Sequence, residues 1–101
     1  MVYEVIVTER ASWDLEEGVD FYNAQKHDLG IDFLLQFYSC LDALSTFPSS
    51  HQRIYKNFRR LLFPDFANSV IFEIDENQKK VIVLAVWANK KDPKELDDRF
   101  D

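Results

Sequence analysis

The sequence has few of the residues on which many functional sites depend. It contains one cysteine, two glycines, two histidines and three prolines among 101 residues. A single cysteine excludes a disulfide within the chain, which fits a reducing compartment, so we expect a cytoplasmic protein. Two isolated glycines exclude a glycine-rich phosphate-binding loop. His27 and His51 have no second ligand at metal-binding spacing, so we expect no metal site and no cofactor.

Long apolar segments are also missing. No stretch approaches the roughly 20 apolar residues of a membrane span, so we expect no membrane association. The opening residues MVYEVIVTER contain acids and no small-residue cleavage site, which predicts that there is no signal peptide. The hydrophobic fraction of 47% is enough for a packed core, and the length fits one domain over residues 1–101.

Basic residues are scarce in the first half of the chain. Residues 1–50 contain only Arg10 and Lys26 against nine acidic residues, and the net charge of the chain is −6. This acidity argues against direct nucleic-acid binding. Two segments of the second half have basic residues and no acid: Arg53, Lys56, Arg59 and Arg60, then Lys79, Lys80, Lys90 and Lys91. These clusters are either solvated strand ends or contacts for an anionic partner.

Apolar periodicity predicts one strand and then two helices. Residues 2–7 read VYEVIV, which is typical of a strand. A helical stripe then runs over about residues 9–26, with Thr8 as its N-cap. The stripe consists of Ala11, Leu15, Val19 and Tyr22, and the acids Asp14, Glu16, Glu17 and Asp20 are expected on a solvated face. Gly30 predicts a turn before a second helix from about Ile31 to Thr46.

The second helix is expected to be the more buried of the two. Its main stripe consists of Ile31, Leu34, Phe37, Leu41 and Leu44. Phe33, Leu35 and Tyr38 make the helix apolar over much of its circumference. Cys40 lies within this pattern and is expected to be a buried filler. Phe47-Pro48 ends the helix.

Three further strands are predicted at residues 55–63, 69–75 and 80–87, the last one central and covered. The order β-α-α-β-β-β predicts an α+β fold: a two-layer sandwich in which an αα-hairpin packs on a mainly antiparallel sheet. The other sheet face is expected to be more open and to contact a target or partner.

Several short features follow one another along residues 2–95. The aromatic pair Phe21-Tyr22 ends the first predicted helix, and DLGIDFL follows at residues 28–34. Next come a loop proline at Pro48, FRRL at residues 58–61, a strand ending in Ile74-Asp75, and VIVLAVWANKKDP at residues 81–93. In this order they resemble the RelE/ParE toxin superfamily, especially its ParE-like plasmid-stabilisation branch.

The resemblance implies a bacterial toxin of a type II toxin–antitoxin system, neutralised by binding a cognate antitoxin. ParE-like members inhibit DNA gyrase and RelE-like members cleave mRNA on the ribosome, so gyrase and the ribosome are the two candidate targets. Two alternatives remain open: a non-toxic member that acts only as an interaction protein, and a RelE-like endonuclease. A homodimer is a further expectation.

The resemblance also implies a site. Residues expected to bind the target or antitoxin are Arg59, Arg60, Trp87, Lys90 and Lys91, and the catalytic candidates are Lys56, Arg59 and Lys91. By strand alternation, Arg59 and Arg60 point to opposite faces, so only one of them can lie on the open face. Trp87 has two interpretations, as a core residue or as an anchor for a partner.

The sequence departs from the nuclease pattern of the family. Relatives often have basic and aromatic residues where this chain reads FPDFANS at residues 63–69, and a His before the segment that ends in Asp92-Pro93. No Tyr follows Tyr55. Because RNA cleavage needs groups that move protons and stabilise the phosphorane, these departures favour a protein that is not an enzyme.

Overall fold

The computed structural model describes residues 2–100, and the side chains of residues 2–99. Helices α1 (Glu9–Gln25) and α2 (Leu29–Thr46) pack on one face of a five-stranded sheet. The strands are β1 (Glu4–Val7), β2 (Arg53–Tyr55), β3 (Phe58–Leu62), β4 (Asn68–Asp75) and β5 (Lys80–Ala88). Their order is β1-β5-β4-β3-β2, and only the β1–β5 pair is parallel. The predicted α+β sandwich with a mainly antiparallel sheet is confirmed.

The main core lies between the helices and the sheet. Alternate residues of β4 and β5, among them Phe72 and Val83, face the helices and are fully buried. Phe33 of α2 stacks on Phe63, with ring centroids 4.7 Å apart and planes 10° from parallel. Aromatic rings therefore fill much of this layer, which suits a small domain because each ring removes a large apolar area from water.

The first helix begins as predicted. The Thr8 side-chain oxygen accepts a hydrogen bond from the Ala11 amide at 3.3 Å and donates one to the Val83 carbonyl at 2.8 Å. Thr8 thus caps α1 and fixes the end of β1 to β5. The predicted stripe faces the core, with Ala11 fully buried.

The predicted turn at Gly30 is wrong, because Gly30 lies inside α2 and is buried. The turn uses Asp28 instead, which has a φ of 65°. A Cβ at Gly30 would stand 2.5 Å from the Val19 carbonyl oxygen, and the Gly30 amide donates to the Asn23 side chain at 2.7 Å. Gly30 is required because the two helix backbones approach closely at this point.

The prediction that α2 is the more buried helix is confirmed, but its buried face differs from the predicted one. The buried residues of α2 are Gly30, Phe33, Phe37, Cys40 and Leu44, whereas α1 buries only Ala11. Leu35 and Tyr38, predicted to add to the buried surface, are exposed. Burial raises the pKa of the Cys40 thiol to about 11, which agrees with a structural filler.

The single strand predicted at residues 55–63 is instead a hairpin. β2 and β3 pair antiparallel through a tight turn in which Lys56 has a φ of 51°. The predicted strands at residues 69–75 and 80–87 agree with β4 and β5 to within one residue.

The second sheet face, predicted to be the more open one, is partly covered. A 3₁₀ turn at Pro93–Glu95 and helix α3 (Leu96–Phe100) form, with Asp92, a C-terminal segment that packs on this face. Leu96 is fully buried in a second cluster with Phe58, Ile71, Ala85 and Trp87. No helix among residues 2–100 is long and apolar enough to cross a bilayer.

Candidate functional site

A cleft opens where β5 runs past the end of β1. β1 pairs with β5 only as far as Val83, so beyond that residue the edge of β5 faces α1. A cavity of about 640 Å³ lies there, which we call the α1–β5 cleft. Its walls come from α1, the end of β5 and the C-terminal segment. The lining residues used below are Arg10, Asp14, Trp87, Lys90, Lys91 and Arg99.

An ion pair closes one end of this cleft. The Arg99 guanidinium donates two hydrogen bonds to the Asp14 carboxylate, at 2.6 and 2.7 Å, and each side chain is only 11% exposed. The same carboxylate accepts the Val86 amide at 3.0 Å, so it occupies the β5 edge where a further strand would pair. The interpretation of Asp14 as part of a solvated face is therefore wrong, whereas Glu16, Glu17 and Asp20 are exposed as predicted.

Trp87 lies in the second cluster with 6% of its surface exposed. Cations stand over its ring: Lys91 Nζ is 4.7 Å and the Arg99 guanidinium carbon 5.2 Å from the ring centroid. Its indole nitrogen is buried and has no hydrogen-bond partner among the residues described. Of the two interpretations, the core position is the one found, and Trp87 is also among the residues that line the cleft.

The predicted site residues do not form one constellation. Trp87, Lys90 and Lys91 meet at the α1–β5 cleft. Arg59 lies on the helix side of β3 and donates to the backbone carbonyl oxygens of His51, at 2.8 Å, and Ser49, at 3.3 Å. Arg59 therefore joins β3 to the loop after α2 and does not point to the open face.

Arg60 and Lys56 lie elsewhere. Arg60 shares its face of β3 with Phe58, which belongs to the second cluster. Lys56, in the β2–β3 turn, forms an ion pair with Asp97 at 2.8 Å, and Tyr55 donates to the same carboxylate. These two contacts lower the pKa of the Asp97 carboxyl below its usual range, and the hydrogen bond from Lys56 is the larger cause. Of the three catalytic candidates, only Lys91 lines the cleft.

The sequence patterns did not predict that Arg10 and Arg99 belong to the cleft. Arg10 lies in the first turn of α1, and Arg99 lies in the C-terminal segment. The available signal was the apolar Leu96 among the charged residues of that segment, whose burial brings Arg99 toward α1.

The cleft suits binding better than proton transfer. Four cationic side chains (Arg10, Lys90, Lys91 and Arg99) line it against two acidic ones, Asp14 and Glu17. Neither histidine is among its lining residues, and its one tyrosine, Tyr22, donates to Asn68 at 2.6 Å, while burial raises the pKa of the Tyr22 hydroxyl. Among the residues that the structure describes, no group of three His, Cys, Asp or Glu could hold a metal ion.

Comparison with known proteins gives a clear result for the fold. No protein-family model and no curated protein matches the sequence. A chain of the chromosomal ParDE TA system from P. aeruginosa is similar, with a TM-score of 0.75 and 14% identity, over 86% of this chain and 96% of that one. The toxin–antitoxin complex RelBE2 from Mycobacterium tuberculosis contains a second neighbour, with a TM-score of 0.66 and 17% identity, over 87% and 99% of the two chains. The protein therefore has a RelE/ParE-like fold.

Proposed function

We propose that this protein is the toxin component of a type II toxin–antitoxin system and that a cognate antitoxin neutralises it by binding. One observation carries the proposal: the fold likeness extends over nearly the full length of neighbours from the ParDE and RelBE2 systems. The sequence features from Phe21-Tyr22 to Asp92-Pro93 support the same assignment independently.

The antitoxin contact that fits this molecule best is the rim of the α1–β5 cleft. Lys90 and Lys91 are exposed there beside Arg10, and one residue, Asn89, separates them from the end of β5. Exposed cations on an otherwise acidic protein would attract an acidic segment of the antitoxin and fix its position.

The target we propose is DNA gyrase, as for ParE-like toxins, and the ribosome is the alternative. Arg59 and Lys56 support this preference because both make structural contacts, Arg59 to two backbone carbonyls and Lys56 to Asp97. Side chains so engaged are poorly placed to stabilise a phosphorane on RNA. The same contacts favour, as a second candidate, an interaction protein that has the fold without toxicity.

Inducible expression in a bacterial host, with and without the neighbouring gene, tests the proposal. We expect growth to stop when the chain is expressed alone and to continue when the neighbour is co-expressed. Phe33→Asp is the matched control, because a charge in the core destroys the fold and with it any specific toxicity. Full growth at a verified level of folded protein would contradict the toxin assignment. Retained binding to the neighbour's product would then identify the non-toxic interaction protein.

Two assays separate the targets. A gyrase inhibitor blocks supercoiling of relaxed plasmid by purified gyrase, whereas an endonuclease produces new 3′ ends on mRNA in translating ribosomes. We expect the first effect and not the second.

Charge reversal tests the binding site. The double variant Lys90→Glu/Lys91→Glu should weaken antitoxin binding by about tenfold or more, measured by calorimetry at low salt. Lys26→Glu, an equally exposed change between the helices, is the control and should leave the affinity within about twofold. Equal affinities for both variants would exclude the cleft rim as the contact.

A further inference from the structure

The outer surface of α2 has an apolar stripe that no part of the described chain covers. Ile31, Leu35 and Tyr38 are 52%, 58% and 51% exposed, and their spacing of four and three residues places them on one side of the helix. An apolar row of this kind on a surface helix marks an interaction site more often than a single exposed residue does.

A groove opens beside this stripe. It is a cavity of about 720 Å³ between α2 and the loop that joins β3 to β4, and Leu35 belongs to both the stripe and the groove wall. Its apolar walls are formed by Leu29, Leu35 and Phe66. None of its lining residues is basic, whereas Asp32 and Asp65 supply two carboxylates.

The Asp65 carboxylate is held in place but only partly used. One of its oxygens accepts from the Gln36 amide at 2.9 Å, and the Gln36 oxygen accepts from the Asp65 backbone at 3.0 Å. Asp32 makes no ion pair with any residue that the structure describes. The groove thus combines apolar walls with carboxylates that form no ion pair within residues 2–99.

The charge of the helices selects the kind of partner. α2 contains Asp32 and Asp42 and no basic residue, and the one basic residue of α1, Arg10, lines the other cleft. A second copy of this chain would bring acidic helices together, and an anionic membrane would repel them as well. A basic partner is the one whose charge is complementary.

We infer that this surface binds a basic amphipathic helix of another protein. Apolar side chains of that helix cover Ile31, Leu35 and Tyr38, as in helix-in-groove recognition. One of its arginine or lysine side chains enters the groove, where the methylene stem packs on Leu29 and Leu35 and the charge reaches Asp32 and Asp65. This surface shares Tyr22 and Ala67 with the α1–β5 cleft but none of its charged residues, so the inference does not depend on the proposed toxin function.

The test uses a synthetic probe. It is a fluorescently labelled helical peptide of about five turns, with leucine along one side and arginine on both flanks. Its analogue has glutamate in place of every arginine. We expect the arginine peptide to bind with a dissociation constant near the micromolar range, more weakly at high salt, and the glutamate analogue not to bind.

Matched variants locate the site. Leu35→Ala and the double variant Asp32→Asn/Asp65→Asn should each weaken binding of the arginine peptide by about tenfold. These side chains lie at the surface, so the fold is expected to persist, and circular dichroism checks it. Tyr38→Ala serves as a second variant of the stripe if one of these fails to fold.

The controls are an exposed leucine and an exposed acid elsewhere. Leu62→Ala changes a side chain that is 52% exposed on the sheet, and Asp98→Asn changes an acid of the C-terminal segment. Both should bind the peptide within about twofold of the unchanged protein. Equal loss in controls and site variants, or tight binding of the glutamate analogue, would overturn the inference.

Discussion

The two faces of the sheet are covered in different ways. On one face, two helices of 17 and 18 residues bury a large cluster that includes Phe33, Phe37 and Phe72. On the other, the nine-residue C-terminal segment buries Leu96 among its described side chains, and ion pairs of Asp97 and Arg99 hold it to Lys56 and Asp14. The first face depends on a large buried apolar area, whereas the second combines a small apolar cluster with ion pairs, which salt and acid weaken. We therefore expect the C-terminal segment to open before the helical layer does.

The largest effect is expected on the helical face. Phe33→Ala removes a fully buried ring that stacks on Phe63 and contacts Gly18, and should lower the free energy of unfolding by about 3–5 kcal/mol. Urea denaturation measures it. Phe21→Ala, at a ring that is 58% exposed, is the control and should change stability by less than about 1 kcal/mol. Similar losses for both would mean that the helical layer is not the main source of stability.

Leu96→Ala should produce a smaller and local effect. We expect the free energy of opening of the C-terminal segment to fall by about 2–3 kcal/mol, with little change in the helix-facing core, because only the second cluster loses contacts. Native-state hydrogen exchange distinguishes opening of the C-terminal segment from opening of the helix-facing core, because the amides of the segment and those of β5 are measured separately.

Fluorescence gives a second measurement of the same variant. In a Trp13→Phe background, Trp87 is the remaining tryptophan, and its emission should shift to the red when the segment opens. Trp87 emission that stays blue while exchange in the core accelerates would show that the two faces unfold together.

Asp14→Asn tests the tie between the segment and α1. Asparagine can still accept the Val86 amide, but Arg99 loses its partner, and we expect a loss of about 1–2 kcal/mol, less than for a fully buried pair. Asp20→Asn, at an exposed position of the same helix, should have almost no effect. Thermal melts at low and high salt measure both. Equal melting temperatures for the two variants would show that the ion pair does not hold the segment.

The smallest expected effect is the opening of the C-terminal segment at acidic pH. Because the pKa of Asp97 is below its ordinary value of 3.8, ionised Asp97 stabilises the segment above that pH, and this contribution disappears as the pH falls through the lowered pKa. Exchange of the segment amides should therefore accelerate below about pH 4 more than exchange of the core does. Asp97→Asn should remove most of this difference, and a pH dependence that persists in Asp97→Asn would assign it to another carboxylate.

Local patterns predicted the elements that depend on near neighbours. The stripe of α1, its Thr8 cap, the end of α2 at Pro48 and the limits of β4 and β5 follow from periods of 3.6 and 2 residues and from capping chemistry. The β2–β3 hairpin was missed because its turn contains no glycine or proline, and Lys56 adopts the left-handed conformation instead.

The candidate site was predicted only in part, because local sequence patterns do not reveal contacts between distant elements. Lys90, Lys91 and Trp87 were assigned together because they are adjacent in sequence at the end of β5. The positions of Arg59, bonded to the loop after α2, and of Lys56, paired with Asp97 41 residues away, could not be read from spacing. Such contacts depend on how distant elements pack.

The sequence by itself determined the α+β order, the acidic helices and the basic end of β5, because charge and periodicity are local properties. Only the tertiary structure decided that Gly30 lets two helix backbones approach closely and that Asp14 pairs with Arg99 across 85 residues of chain. It also decided that the second sheet face is partly covered. The scarcity of glycine excluded a phosphate loop. The two glycines present, Gly18 and Gly30, are explained by packing, because a Cβ at either position would overlap the facing helix.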